Sequence, residues 1–125
     1  MKHGGAKVWY FPDGFLPEKT GDSKLEAHEA LMVLNTGDKP AHIELDVYFE
    51  DREPAKDVAI TVGAERCTFF RMDDPEQIGG LKIPNMTQYG LRVRSDVNIV
   101  AQFGRLDTTQ ANLAYYVNVG YYEDE

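Results

Sequence analysis

The sequence predicts an all-β protein, an antiparallel β-sandwich of jelly-roll-like design with about eight strands. Three observations carry that expectation. Apolar and polar residues alternate over short runs, most cleanly where Ala41, Ile43, Leu45, Val47 and Phe49 share one face and His42, Glu44, Asp46 and Tyr48 the other. Turn residues interrupt the chain at spacings of roughly ten residues, as sandwiches and jelly rolls require. No stretch repeats its apolar residues with helical period. Only Thr108–Leu113, capped by Asp107 or Thr108, offers a helical turn or two.

Lys7–Phe11 reads as a short aromatic strand, followed by a loop rich in Pro and Gly (Pro12, Gly14, Pro17, Gly21). Ala27–Leu34 and Ala41–Phe49 read as a hairpin, with Leu34 set against Ala41. Its turn is Asn35-Thr36-Gly37-Asp38-Lys39-Pro40, where Asn and Gly tolerate positive φ and Pro fixes its own. Val58, Ile60 and Val62 mark the next strand, which stops at Gly63. Arg66–Arg71 places Cys67 and Phe69 on one side, Thr68 and Phe70 on the other. An irregular segment, Asp73–Gln88, holds Pro75, Gly79-Gly80 and Pro84. Gly90–Ser95 and Asn98–Leu106 read as a second hairpin across Asp96-Val97, with Arg92 and Arg94 on one face.

Tyr115–Tyr122 closes the chain before an acidic tail, Glu123-Asp124-Glu125. Tyr115, Val117, Val119 and Tyr121 line one face of this last strand; Tyr116, Asn118, Gly120 and Tyr122 line the other. A strand apolar on both faces belongs in the middle of a sheet or beneath another subunit, since exposed edges invite pairing.

Residues 1–125 are expected to form a single domain with its own core, needing no disulfide or metal staple. The one cysteine, Cys67, excludes an intrachain disulfide and fits a reducing compartment. No apolar run approaches the ~20 residues that span a bilayer, and the N-terminus leads into no signal-peptide core. The expected location is the cytoplasm. A net charge of −8, with scattered basic residues, repels phosphate backbones at long range, so nucleic acid is not an expected partner.

Catalytic and metal chemistry find little support. His28-Glu29 begins like a zincin motif, but Met32 stands where the second histidine belongs. In the hairpin register His28 and His42 lie about 17 Å apart, too far to share a metal. Cys67 reads as a core residue. Glu50-Asp51-Arg52-Glu53 reads as a solvated charged turn before Pro54, and no nucleophile elbow, phosphate loop or dinucleotide fingerprint is present. No enzyme activity, cofactor or metal is expected.

Gln102-Phe103-Gly104-Arg105-Leu106-Asp107 offers more. Gln102 points one way; Arg105 and Asp107 share the opposite face about 7 Å apart, placed to pair or to address one polar ligand together. Trp9-Tyr10-Phe11 adds aromatic surface that core packing or a sugar face can use.

In order along the chain stand Trp9 before its Gly/Pro loop, His28-Glu29, Leu34-Asn35-Thr36-Gly37, Tyr48-Phe49-x-Asp51-x-Glu53-Pro54, Ala64-x-Arg66, and Asn98-Ile99-Val100-x-Gln102-x-x-Arg105-Leu106-Asp107. As a set they resemble the sensory rhodopsin transducer family over nearly the whole chain. The resemblance implies a jelly-roll-like β-sandwich, a homotetramer, and a role in signalling: the founding member is a soluble partner of a microbial rhodopsin. Relatives without that rhodopsin are thought to sense small molecules, sugars among them, and some are fused to DNA-binding domains. Carried onto this chain, His28, Glu29, Gln102, Arg105 and Asp107 are the expected ligand-binding residues, with Trp9 and Arg71 as further candidates. The strand after Ala64-x-Arg66 is less basic than the family pattern, which weakens any DNA contact there.

The leading expectation is therefore a non-enzymatic sensor that binds a small polar ligand, a carbohydrate for example, and relays the signal to a protein partner. The alternative is a ligand-free interaction module acting as the soluble transducer of a membrane photoreceptor. A DNA-binding regulator and a saccharide-acting enzyme stand behind these two.

Overall fold

The computed structural model describes residues 4–18, 27–108 and 114–123. The described residues form an antiparallel β-sandwich of eight strands: β1 (Ala6–Phe15), β2 (His28–Asn35), β3 (Ala41–Phe49), β4 (Ala55–Val62), β5 (Arg66–Arg71), β6 (Gln88–Asp107), β7 (Ala114–Val119) and β8 (Tyr121–Glu123). The front sheet runs β4-β3-β6-β1-β8, and the back sheet runs β5-β2-β6-β7. Among the described residues no helix is long and apolar enough to cross a membrane.

The expected strands are present, but three of the expected connections are different. Ala27–Leu34 and Ala41–Phe49 do not form a hairpin: β2 pairs with β5 and β6, β3 with β4 and β6. Residues 36–40 carry the chain from one sheet to the other. Facing each other across the core, Leu31 and Val33 of β2 join Ile43 and Leu45 of β3 in one buried cluster, which side-by-side pairing would not achieve. The crossover is tied by a side chain, with neither Asn35 nor Gly37 at positive φ. The buried Asn35 amide donates to the carbonyls of Lys39 (2.8 Å) and Gly63 (3.1 Å), and its oxygen accepts from the Gly37 amide (3.0 Å).

The second expected hairpin is one continuous strand. β6 spans 20 residues; its first half pairs with β3 and β1 in the front sheet, its second half with β2 and β7 in the back. Asp96 makes no turn there; its carboxylate accepts from the His42 amide at 2.8 Å and caps the start of β3.

β1 likewise continues through the expected Pro/Gly loop to Phe15, absorbing Pro12-Asp13 in an irregularity between Phe11 and Gly14. At Gly14 a Cβ would lie 2.6 Å from the Tyr89 ring, so only glycine fits that approach. The last expected strand is two, β7 at the edge of the back sheet and β8 on β1 at the edge of the front. Gly120 joins them, where a Cβ would meet the Phe11 ring at 2.6 Å. A central place for this segment is therefore ruled out. The helical turn expected over Thr108–Leu113 lies almost entirely outside the described residues.

The core fills the space between the sheets. Trp9, Phe11, Ile43, Leu45, Val47, Leu91 and Val93 face Leu31, Val33, Phe70, Ala101 and Phe103, and Leu16, Met72, Ile78 and Ile83 close its ends. Phe103 joins the layers, its ring centroid 5.9 Å from Phe11 and 6.4 Å from Tyr89. Cys67, expected in this core, is exposed on the outer face of the back sheet. The alternation in β5 turns Phe70 inward, and Cys67 and Phe69 are on the opposite parity.

Candidate functional site

β2 and β6 bring the two sequence-selected segments side by side. His28 stands opposite Leu106, Glu29 opposite Arg105 and Met32 opposite Gln102. Because side chains alternate along a strand, the sheet itself divides the group. Glu29 and Arg105 fall on the face toward the front sheet, with the half-buried Asp107 at the end of the same row; His28 and Gln102 line the outer face.

On the inner side Glu29 is fully buried and ringed by donors. Its Oε1 accepts from the Tyr89 hydroxyl at 2.6 Å and the Phe15 amide at 2.9 Å; its Oε2 accepts from Arg105 Nε at 2.7 Å and the same amide at 3.1 Å. Arg105 continues outward, a terminal amine lying 3.6 Å from the Asp13 carboxylate. Burial pushes the Glu29 carboxyl above its ordinary range, while the bonds from Tyr89, Arg105 and Phe15 pull it back. Burial, with the negative charge of Glu29 beside it, pushes the Tyr89 phenol well up, so Tyr89 remains a donor. The cluster ties β1, β2 and β6 together, and both carboxylate oxygens are spent on the protein's own donors.

The remaining candidates lie apart from it. Trp9 is buried, its indole N–H shared between the carbonyls of Ala6 and Ile99, each at 3.1 Å. Arg71, opposite Ala30 on edge strand β5, forks onto Asp73 at 2.9 and 2.7 Å. His28 and His42 lie in different sheets, and among the described residues no group of three or more His, Cys, Asp or Glu is disposed to hold a metal ion.

The outer face of the back sheet is apolar, and the sequence reading anticipated only its β7 edge, where Tyr115, Val117 and Val119 stand. A hollow of about 490 Å³ opens there, lined by His28, Met32, Leu34, Cys67, Phe69, Val100, Gln102 and Tyr115 among others. Around it Phe69 is 57% and Val119 80% exposed, and Leu34, Val100, Tyr115 and Val117 are exposed too. Such a contiguous apolar face is unusual for an isolated monomer. Its signal was in the sequence: Ala30-Leu31-Met32-Val33-Leu34 is apolar on both faces of a strand, not one.

A second buried carboxylate stands on the outer face of the front sheet. Asp46 accepts from Arg92 Nε (2.8 Å), from Arg94 Nε (3.1 Å) and a terminal amine of Arg94 (2.9 Å), and from the Asp57 amide (3.0 Å). Burial alone would raise its pKa; the bonds from Arg94, the Asp57 amide and Arg92 outweigh burial and hold it at about 2. Period-two reading put Asp46 on the polar face with solvent, and the arginines that enclose it came from a strand 46 and 48 residues away.

Comparison with known proteins agrees with this architecture. A crystal structure of Thermotoga maritima 1070 superposes with a TM-score of 0.86 at 31% identity, covering 98% of each chain. The Anabaena sensory rhodopsin transducer superposes with a TM-score of 0.69, also at 31% identity, over 79% of this chain and 93% of that one. No curated protein matches the chain. The family model described as Anabaena sensory rhodopsin transducer matches residues 4–122, and the chain belongs to that family.

Proposed function

We propose that the chain is a ligand-free protein-interaction module of signal transduction: it assembles with further copies of itself through the outer face of the back sheet and relays the state of a membrane photoreceptor, or of another sensor, on the cytoplasmic side. The observation that carries this reading is the exposed apolar face formed by Leu34, Phe69, Val100, Val117 and Val119. Burying it against protein recovers on the order of 25 cal/mol per Å² of apolar surface, and a second copy offers the same apolar surface in return. The family resemblance supports the role, since a relative of the same fold is named a transducer of a sensory rhodopsin. An assembly of four copies is the expected state.

The ligand-sensor reading receives less support from the geometry. Glu29 and Arg105 spend their hydrogen bonds on each other, on Tyr89 and on β1, and Trp9 is packed in the core, so these groups are not presented to a sugar. The reading involves no catalytic step. A thermal-shift panel of mono- and disaccharides separates the two: no sugar should raise the melting temperature. A saturable rise with one sugar would favour the sensor instead, because a ligand of the native state stabilises it by RT ln(1 + [L]/Kd).

A further inference from the structure

The apolar outer face of the back sheet surrounds one amide side chain. Phe69, Met32, Gln102 and Val119 are successive register partners across β5, β2, β6 and β7, so they stand in one row over the sheet. Along β6, Val100 and Gly104 flank Gln102 on the same face. Its amide is therefore bordered by Met32, Val119, Val100 and Gly104, and none of these side chains offers it a hydrogen bond. Gln102 is exposed, and among the described residues its side chain has no hydrogen-bond partner.

The other polar groups of this face are engaged or stand away from its middle. Arg71 forks onto Asp73, and His28 stands at the start of β2. The Tyr115 hydroxyl lies over Gly104, 2.5 Å from where a Cβ would be. Among the described residues no Asp or Glu stands on the face, although the chain carries 21 of them and a net charge of −8. Two copies of so acidic a chain repel each other through most approaches, and this face brings them together without opposing carboxylates. The absence of acids selects a second copy as the occupant.

We infer that Gln102 sets the register of self-assembly: when a second copy covers the face, the Gln102 amide meets the partner's Gln102 across a twofold axis, and the two close a ring of two N–H···O hydrogen bonds. A primary amide carries both donor and acceptor, so it satisfies itself about a twofold. Set against the partner's Met32, Val100 or Val119 instead, the amide loses its water and gains no bond, at the full cost of its desolvation. Registers that slide one face past the other are penalised in this way, whereas a wholly apolar face would accept many. A single polar side chain within an apolar seam fixes register and oligomer state by the same logic in coiled coils. The inference rests on the self-assembly reading and adds which residue meets which.

The test is charge complementation at this position in the full chain, read by sedimentation velocity at micromolar concentration and neutral pH. Gln102→Glu and Gln102→Lys each set like charges against one another, so each alone should assemble at least tenfold more weakly than the wild type. An equimolar mixture of the two should assemble at least tenfold more tightly than either alone. Circular dichroism should show both variants folded, since the position is exposed in the single chain. A folded variant that assembles as the wild type does, or a mixture no tighter than its components, would overturn the inference while a wild-type oligomer leaves the self-assembly reading standing. A wild type that sediments as one chain would overturn both.

Discussion

Glu29 and Arg105 are direct register partners in the β2–β6 ladder, and their side chains close across it with a 2.7 Å charge-assisted hydrogen bond. The same carboxylate holds the hydroxyl of Tyr89 and the amide of Phe15, so one side chain of β2 is tied to both halves of the long shared strand and to the end of β1. The bond is made inside the molecule, where its loss leaves an uncompensated charge.

Glu29→Gln removes the negative charge but leaves Arg105 in place. The loss in unfolding free energy should be about 3–5 kcal/mol, the usual cost of taking one partner from a buried pair. The double variant Glu29→Gln/Arg105→Gln should lose less than the sum of the single losses. Urea unfolding followed by circular dichroism, at one fixed protein concentration, checks both.

The two buried carboxylates should respond to pH with opposite signs. Asp46 has a folded pKa of about 2 against an ordinary 3.8, so the folded state binds its proton less tightly than the unfolded state. Its contribution is full above pH 3.8 and is lost as pH falls toward 2; the stability gap between wild type and Asp46→Asn should open over that window. Glu29 is shifted upward, so the folded state binds its proton more tightly. Its contribution is full below the ordinary value of 4.5 and declines as pH rises through the folded value, so the gap to Glu29→Gln should narrow on that side. Unfolding curves of the three proteins from pH 2 to 7 give both slopes.

Gly14→Ala places a methyl group 2.6 Å from a Tyr89 ring that its bond to Glu29 keeps from moving aside. A destabilisation of about 2–3 kcal/mol is expected, in the range of overpacked cores. Retained stability in a melting experiment would mean that β1 shifts freely at its irregularity.

Cys67 offers a chemical report on the back sheet. It lies in the hollow beside Phe69 and is exposed in the single chain. Under a second copy it should react slowly with a maleimide, and Phe69→Asp should raise the labelling rate at least tenfold. Equal rates in the two proteins would leave the face uncovered.

Most of the strands were legible because burial on one face writes a period of two into the sequence. The faces of β3 and β5 follow it, as does the separation of Gln102 from Arg105 and Asp107. Which strands pair was not legible. Asn35–Pro40 reads as a hairpin turn because hairpins and crossovers use the same residues, and only the buried amide of Asn35, reaching Gly63, distinguishes them. The buried polar clusters were hidden for a related reason. Arg105 finds its carboxylate 76 residues away, and Tyr89 carries no local sign that its hydroxyl has a partner. Long-range pairing creates these sites, and local alternation is blind to it.

Sedimentation velocity on the wild-type chain and on Phe69→Asp, each at micromolar concentration, bears most directly on the role of the apolar face. Phe69 is 57% exposed, so the folded single chain tolerates the charge. The wild type should sediment as an oligomer, with four copies the expected state, and Phe69→Asp as a folded species near 14.1 kDa. A wild type that sediments at the mass of one chain, or an oligomer unchanged by Phe69→Asp, would contradict the assignment of this face to self-assembly.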